Sequence, residues 1–196
     1  MENKENFEII KKFGPSILKV KIPENIISQL NTYVDQIIND KELSKNLNHG
    51  EELVGDVTQE IKLQPKMIKE TGWADFLALN VSKWIFSEIG KKITKFNIID
   101  SWVVRQFQNE YNPTHWHNGH ISGAGFLKVP KSFGELKESK TIPYKENTFV
   151  MFLNSNKSVH GVTPRKDPGH DRLSINIIAE VEKKTNPLFK LSEIAE

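Results

Sequence analysis

Three of the chain's six histidines fall in one short stretch, T-H-W-H-N-G-H-I-S at 114–122. Side chains two apart on a strand share a face. His115 and His117 would therefore present their imidazoles side by side, with Trp116 on the opposite face. Two neutral imidazoles at that spacing make half of a metal site. His160, in S-V-H-G-V on a later strand candidate, is the obvious third donor. His120 is another option, but it follows Asn118–Gly119, where the chain bends, so alternation does not fix its direction. Three unrelated surface histidines are the competing reading. That explains a lone histidine well, and an H-x-H pair followed by a strand-borne histidine poorly. With no cysteine in the chain the ligand set is rich in nitrogen and free of sulfur. Imidazole suits zinc, iron, copper and nickel alike, so the ligand type does not choose the metal.

Twelve residues after His160 comes R-L-S, Arg172 to Ser174. By alternation Arg172 and Ser174 point the same way. A guanidinium makes bidentate contact with a carboxylate, and a neighbouring hydroxyl adds a hydrogen bond. An arginine pairing with nearby Asp171 or Asp167 is the plainer explanation. Together with the histidines, the pair reads as an anchor for a carboxylate ligand.

The elements that must position these groups change character along the chain. Ser16–Ile22 alternates apolar and polar residues and predicts a strand. After Pro23, Ile26, Ile27, Leu30, Val34, Ile37 and Ile38 recur at helical spacing. Residues 41–65 are polar and contain Gly50 and Gly55. They predict a loop with room for one short strand, and could form part of a lid. A second helix is expected over about 66–90. Its apolar stripe is Trp73, Phe76, Leu77, Val81, Trp84, Ile85 and Ile89, a core-packing pattern, and Gly90 ends it. From residue 95 the period becomes two-fold. Strands are expected at Ile98–Gln108, Thr114–His117, Ser122–Val129, Thr148–Leu153, Ser158–Val162 and Arg172–Val181. Turns at Asn112–Pro113, 130–134, 154–156 and 164–169 separate them. Helices ahead of a run of short strands predict an α+β arrangement, with a jelly roll, sandwich or barrel backed by the helices.

At 196 residues the chain fits a single domain that buries its core without staples. The expected division is an N-terminal strand with supporting helices (1–94), a jelly-roll core (95–182) and a tail (183–196). Net charge is +2, with lysine and glutamate interspersed, so no basic strip marks a nucleic-acid partner. No apolar run is long enough to span a bilayer, and the polar start M-E-N-K-E-N does not resemble a signal peptide. With cysteine absent, the reading is a cytoplasmic protein with no membrane partner.

The segments R-Q-F-Q-N-E-Y-N-P-T-H-W-H-N-G-H-I-S-G-A-G-F-L-K-V-P-K-S-F-G-E-L, Y-K-E-N-T-F-V-M-F-L-N-S-N-K-S-V-H-G-V-T-P and D-R-L-S-I-N-I-I together resemble the Fe(II)- and 2-oxoglutarate-dependent oxygenases. Within them the pattern is similar to a group of oxygenases of marine bacteria and phages with an H-x-H motif. The matching elements are Ser122–Gly123, Pro130, Gly134, Phe149–Leu153, His160–Pro164 and Arg172–Ser174. The likeness as a whole covers somewhat under half the chain. Each is weak alone, while their order and spacing are fairly specific together.

That resemblance implies a double-stranded β-helix (a distorted jelly roll, cupin-like), set in bacterial or phage-infected cytosol. It implies Fe(II), 2-oxoglutarate and O2, with His115, His117 and His160 on the metal. It also implies Arg172 and Ser174 on the distal carboxylate of 2-oxoglutarate. The expected reaction is hydroxylation of a small-molecule or peptidyl substrate, with 2-oxoglutarate decarboxylated to succinate. Tyr111 stands where similar oxygenases sometimes place a cosubstrate-binding tyrosine, and Arg105 could share the mouth. Packing and a strand salt bridge are their plainer roles. The chain departs from the family at His117, because H-x-D or H-x-E is the usual motif. A histidine there removes one negative charge, predicting weaker Fe(II) binding and a raised reduction potential. Water or His120 could instead fill the position. Glu110 and Glu135 are too poorly placed to replace the carboxylate. Two other classes stay open. One is a cupin-like three-histidine metalloenzyme that does not use 2-oxoglutarate, and the other a non-enzymatic jelly-roll binding or structural module. Substrate identity and oligomeric state, monomer or homodimer, are not written in the sequence.

Overall fold

The computed structural model describes residues 7–10, 16–50, 55–129, 148–153, 160–162 and 172–183. In order these form β1 (Phe7–Ile10), β2 (Ile17–Lys21), α1 (Glu24–Asn39), α2 (Lys41–Asn46), β3 (Gln59–Lys62), α3 (Pro65–Glu70), α4 (Trp73–Ile89), β4 (Ile93–Gln106), β5 (Asn112–His115), β6 (Ile121–Lys128), β7 (Thr148–Leu153), β8 (His160–Val162) and β9 (Arg172–Lys183). The expected turns at 130–134, 154–156 and 164–169, Glu135, the acids Asp167 and Asp171, and the tail beyond 183 lie outside the described residues.

The strands form two antiparallel sheets in an α+β arrangement. The large one has the order β1-β2-β7-β6-β9-β4-β3, and β5 pairs with β8 in the small one. Alternation along β9 explains why the large sheet has two different faces. Leu173, Ile175, Ile177, Ala179 and Val181 pack into the core under the helices. Ser174, Asn176 and Ile178 occupy the other face, toward β5. Burying one apolar set on each strand fixes register, because a slip of one residue would exchange the faces.

The helix α1 forms where its apolar spacing predicts. Ile26, Ile27, Leu30, Val34 and Ile37 are all buried. Pro23 precedes it, and its carbonyl accepts from the Ile26 and Ile27 N–H groups, both at 3.0 Å. Lys128 of β6 reaches Asp35 of α1 at 2.5 and 2.7 Å, tying helix to sheet. Gly123 lets β6 pass Phe149 closely, since a Cβ there would lie 2.6 Å from the ring.

Two expectations need correction. Residues 41–65 are not one loop, since they hold α2, β3 and the start of α3. The Asp40 carboxylate caps α2 by accepting from Leu43 N–H at 3.0 Å, a local signal that polarity alone hides. The helix expected over 66–90 is two helices. Gly72 takes φ +74°, a left-handed conformation open to glycine, and breaks the run. The break turns Trp73 inward, where it is fully buried with its ring edge-on to Phe149 at 4.9 Å. The strand β1 was not expected. Expected strand bounds shift by a few residues, most at β4, which begins at Ile93. No helix among the described residues is long and apolar enough to cross a membrane.

Candidate metal centre

The small sheet brings the distant histidines together. In the β5–β8 ladder His115 is the direct partner of His160. Opposed residues of an antiparallel pair have their Cα atoms about 4.5–5.5 Å apart. The side chain of His160 lies outside the described residues, so its backbone position is what the structure gives.

His115 and His117 meet ring to ring, although β5 ends at His115. Their Nε2 atoms are 3.1 Å apart and the ring planes are nearly perpendicular, at 88°. The Nδ1 of His115 lies 2.6 Å from the Pro113 carbonyl oxygen. A carbonyl can only accept, so Nδ1 carries the proton and Nε2 presents its lone pair. Histidine ligands of metals are commonly oriented in this way. A separation of 3.1 Å suits a hydrogen bond between the rings. It also suits two nitrogens each about 2.1 Å from one ion at a right angle, which stand about 3.0 Å apart. Trp102 packs against His117 with ring centroids 5.9 Å apart. Trp116, on the opposite side, is 62% exposed.

His120 does not join the pair through its described contacts. Its backbone N–H donates to the Ala179 carbonyl at 2.9 Å, and its Nδ1 accepts from Val181 N–H at 3.2 Å. Both contacts pin it to β9. Glu110 is engaged as well. It accepts from Thr58 N–H at 2.9 Å, from the Thr58 hydroxyl and from Phe107 N–H at 2.8 Å. Among the described residues no group of three or more histidine, cysteine or acidic side chains converges as a metal site. The described side chains that meet are the two imidazoles of His115 and His117, and the backbone of His160 lies across the ladder from His115. Neutral nitrogen donors fit a divalent transition ion.

On the facing sheet, Ser174 pairs with Val104 on one side and Phe126 on the other, and is buried. Arg172 pairs with Gln106 through the backbone, and its side chain lies outside the described residues. Tyr111 is exposed, and its backbone exchanges hydrogen bonds with Asp56 at 2.9 and 3.3 Å. Arg105 donates to Gln59 Oε1 at 3.1 Å and covers the Phe107 ring.

Sequence reasoning missed Glu60. It continues the row of Val104, Ser174 and Phe126 on the inner face of the large sheet and is only 1% exposed. Its Oε2 has no hydrogen-bond partner. Burial pushes its carboxyl up to about 7, a hydrogen bond from Asn112 opposes this, and the charge of Glu110 adds to it. Asn112 belongs to β5, so this acid links β3 to the strand that carries His115. The available signal was alternation, since Ile61 and Leu63 on the core side place Glu60 on the inner face. Its neighbours Gln59 and Lys62 disguise it as a surface residue.

No family model matches the sequence, and no curated protein matches it either. Solved structures do resemble it. A viral collagen prolyl hydroxylase of Paramecium bursaria Chlorella virus 1, as a truncated form, superposes with a TM-score of 0.56 at 16% identity, over 95% of this chain and 99% of that one. The same hydroxylase in complex with 2-oxoglutarate gives 0.55 at 15% identity, over 87% of this chain and 96% of that one. A Burkholderia pseudomallei oxidoreductase of the 2-oxoglutarate–Fe(II) oxygenase family gives 0.45 at 11% identity, over 82% and 83%. The two viral structures establish the fold as the double-stranded β-helix. The narrower grouping by an H-x-H motif gains no support from any family model.

Proposed function

We propose that the chain is a non-haem Fe(II)- and 2-oxoglutarate-dependent oxygenase, a hydroxylase of a small-molecule or peptidyl substrate. The observation that carries this reading is the convergence of His115 and His117 at 3.1 Å, with His160 across the ladder from His115. The prolyl hydroxylases that share the fold support the class.

His115, His117 and His160 would hold the metal. Arg172 and Ser174 would take the distal carboxylate of 2-oxoglutarate, with Tyr111 at the mouth. When bound, Fe(II) and 2-oxoglutarate supply the activation of O2, with one oxygen atom entering succinate as CO2 leaves and the other entering the substrate as a hydroxyl. The chain contributes orientation. The Pro113 carbonyl fixes the tautomer of His115, and Trp102 backs His117. Burial of Ser174 strengthens any hydrogen bond it makes to an anion, because competing water is excluded. Three neutral ligands leave the metal's full charge uncompensated, which would strengthen its pull on an anionic cosubstrate.

The test is anaerobic titration with Fe(II) and 2-oxoglutarate. The weak visible charge-transfer band of the chelate should appear, and succinate should form once O2 is admitted. Absence of both would refute the reading. A band and succinate that survive Arg172→Ala undiminished would refute the assigned cosubstrate anchor. Metal binding without either signal would favour a three-histidine enzyme of another kind.

A further inference from the structure

We infer that Glu60 is the charge-compensating acid of the histidine centre. From outside the ligand set, its carboxylate replaces the negative charge that a histidine at position 117 removes. The inference rests on the metal reading proposed above, and not on 2-oxoglutarate.

The β5–β8 ladder puts Glu60 and His115 in one space. Asn112 pairs with Val162 and His115 with His160, so three steps along β5 face two along β8. One residue of β5 is extra, a bulge. Directly opposed residues share a side of the sheet, and Val162 and His160, two apart, share theirs. Asn112 and His115 therefore lie on the same side, although their odd separation in sequence suggests opposite ones. Asn112 hydrogen-bonds the carboxyl of Glu60, which stands on the inner face of the large sheet beside Val104. The side of β5 that carries His115 is thus the side that faces Glu60. Two residues of ladder separate Asn112 from His115, about 7 Å. With one hydrogen bond beyond Asn112, the Glu60 carboxyl lies about 10 Å from an ion held by His115 and His117.

The groups packed around Glu60 do not favour its charge. It is 1% exposed, and its Oε2 has no hydrogen-bond partner. Glu110, ahead of β5, repels it. From the segment before β3, Asn48 Oδ1 accepts the Glu60 backbone N–H at 3.2 Å, and the ring of His49 turns to Asp100 at 3.3 Å. Lys62 of β3 reaches Asp100 at 3.7 Å, and Arg105 of β4 donates to Gln59 at 3.1 Å. Asp56 meets Tyr111 through the backbone. The carboxyl is accordingly pushed up to about 7. A divalent ion between the sheets inverts this balance, because its charge favours the carboxylate and the proton leaves. At about 10 Å and an effective permittivity of about 20–40, the attraction is worth about tenfold to a few hundredfold in metal affinity. Linkage fixes the sign. The gain is absent while Glu60 is protonated with and without metal, and it grows as pH rises through about 7.

The probe is Zn(II) alone, titrated into the full chain against a chromogenic chelator at pH 6 and pH 8. Wild type and Glu60→Gln carry the same histidines, so the ratio of their affinities isolates the acid. Wild type should bind about tenfold or more tightly at pH 8, and its advantage should grow at least about fivefold from pH 6 to pH 8. Calorimetry in buffers of different ionisation enthalpy should show wild type releasing about half a proton more than Glu60→Gln at pH 7. A merely structural defect in the variant would lower affinity equally at both pH values. A ratio that stays flat, or equal proton release, would overturn the inference and leave the histidine site standing. Zn(II) binding that His115→Ala does not weaken would place the metal elsewhere and overturn both.

Discussion

Glutamine at position 60 should make the protein more stable at alkaline pH than glutamate does. Glu60 is buried with one oxygen unpartnered, and its carboxyl is pushed up to about 7 from its ordinary 4.5. A raised acid favours the folded state only while protonated. Its contribution is therefore full below pH 4.5 and is lost as pH rises through about 7. Integrated over that window, the loss is about 3 kcal/mol. Glutamine stays neutral throughout. Its carbonyl can accept the Asn112 hydrogen bond, and its amide occupies the position of the unpartnered oxygen. Glu60→Gln should therefore exceed the wild type by no more than about 1 kcal/mol near pH 5 and by about 3 kcal/mol near pH 8.5. In melting temperature, that difference is about 6–12 °C for a chain of this size. Urea unfolding followed by tryptophan fluorescence reads it directly, because Trp73, Trp84 and Trp102 are buried. A chelator keeps metal binding from entering the balance. A difference between the two proteins that stays flat from pH 5 to pH 8.5 would refute the reasoning.

Other substitutions test other parts of the structure. His117→Asp should tighten Fe(II) binding by about tenfold (1.4 kcal/mol), measured by competition with a chromogenic chelator, because it restores a negative ligand. A loss of affinity would show that the two imidazoles are needed as a pair. Arg172→Ala should raise the 2-oxoglutarate requirement for succinate formation by at least about tenfold while Fe(II) binding stays intact. Gly123→Val should destabilise the fold by about 1–3 kcal/mol in chemical denaturation, because its side chain must displace the Phe149 ring or the strand. Trp84→Phe should cost about 1 kcal/mol, as the Trp84 indole N–H donates to the buried Ser16 hydroxyl at 2.9 Å.

Much of this protein is legible without coordinates. The helix α1 follows from the spacing of Ile26, Ile27, Leu30, Val34 and Ile37, and β7 occupies the span its apolar run predicts. His115 and His117 share a side because alternation continues past the strand end. These are local properties, set by backbone period and by the burial of one apolar face.

Only the tertiary structure decides the rest. Gly72 breaking a helix and Asp40 capping another are local events, but they compete with an apolar stripe and a polar run that suggest otherwise. The orientation of His120 depends on β9, whose Ala179 and Val181 lie 59 and 61 positions further along. Whether His160 stands near His115 depends on the pairing of β5 with β8, a choice made by the whole sheet arrangement. Glu60 is the sharpest case. In sequence it sits among polar neighbours, and alternation says only that it faces away from Ile61. Whether that side meets water or a second sheet is a non-local fact. That fact turns an ordinary surface carboxylate into a buried acid held near neutrality.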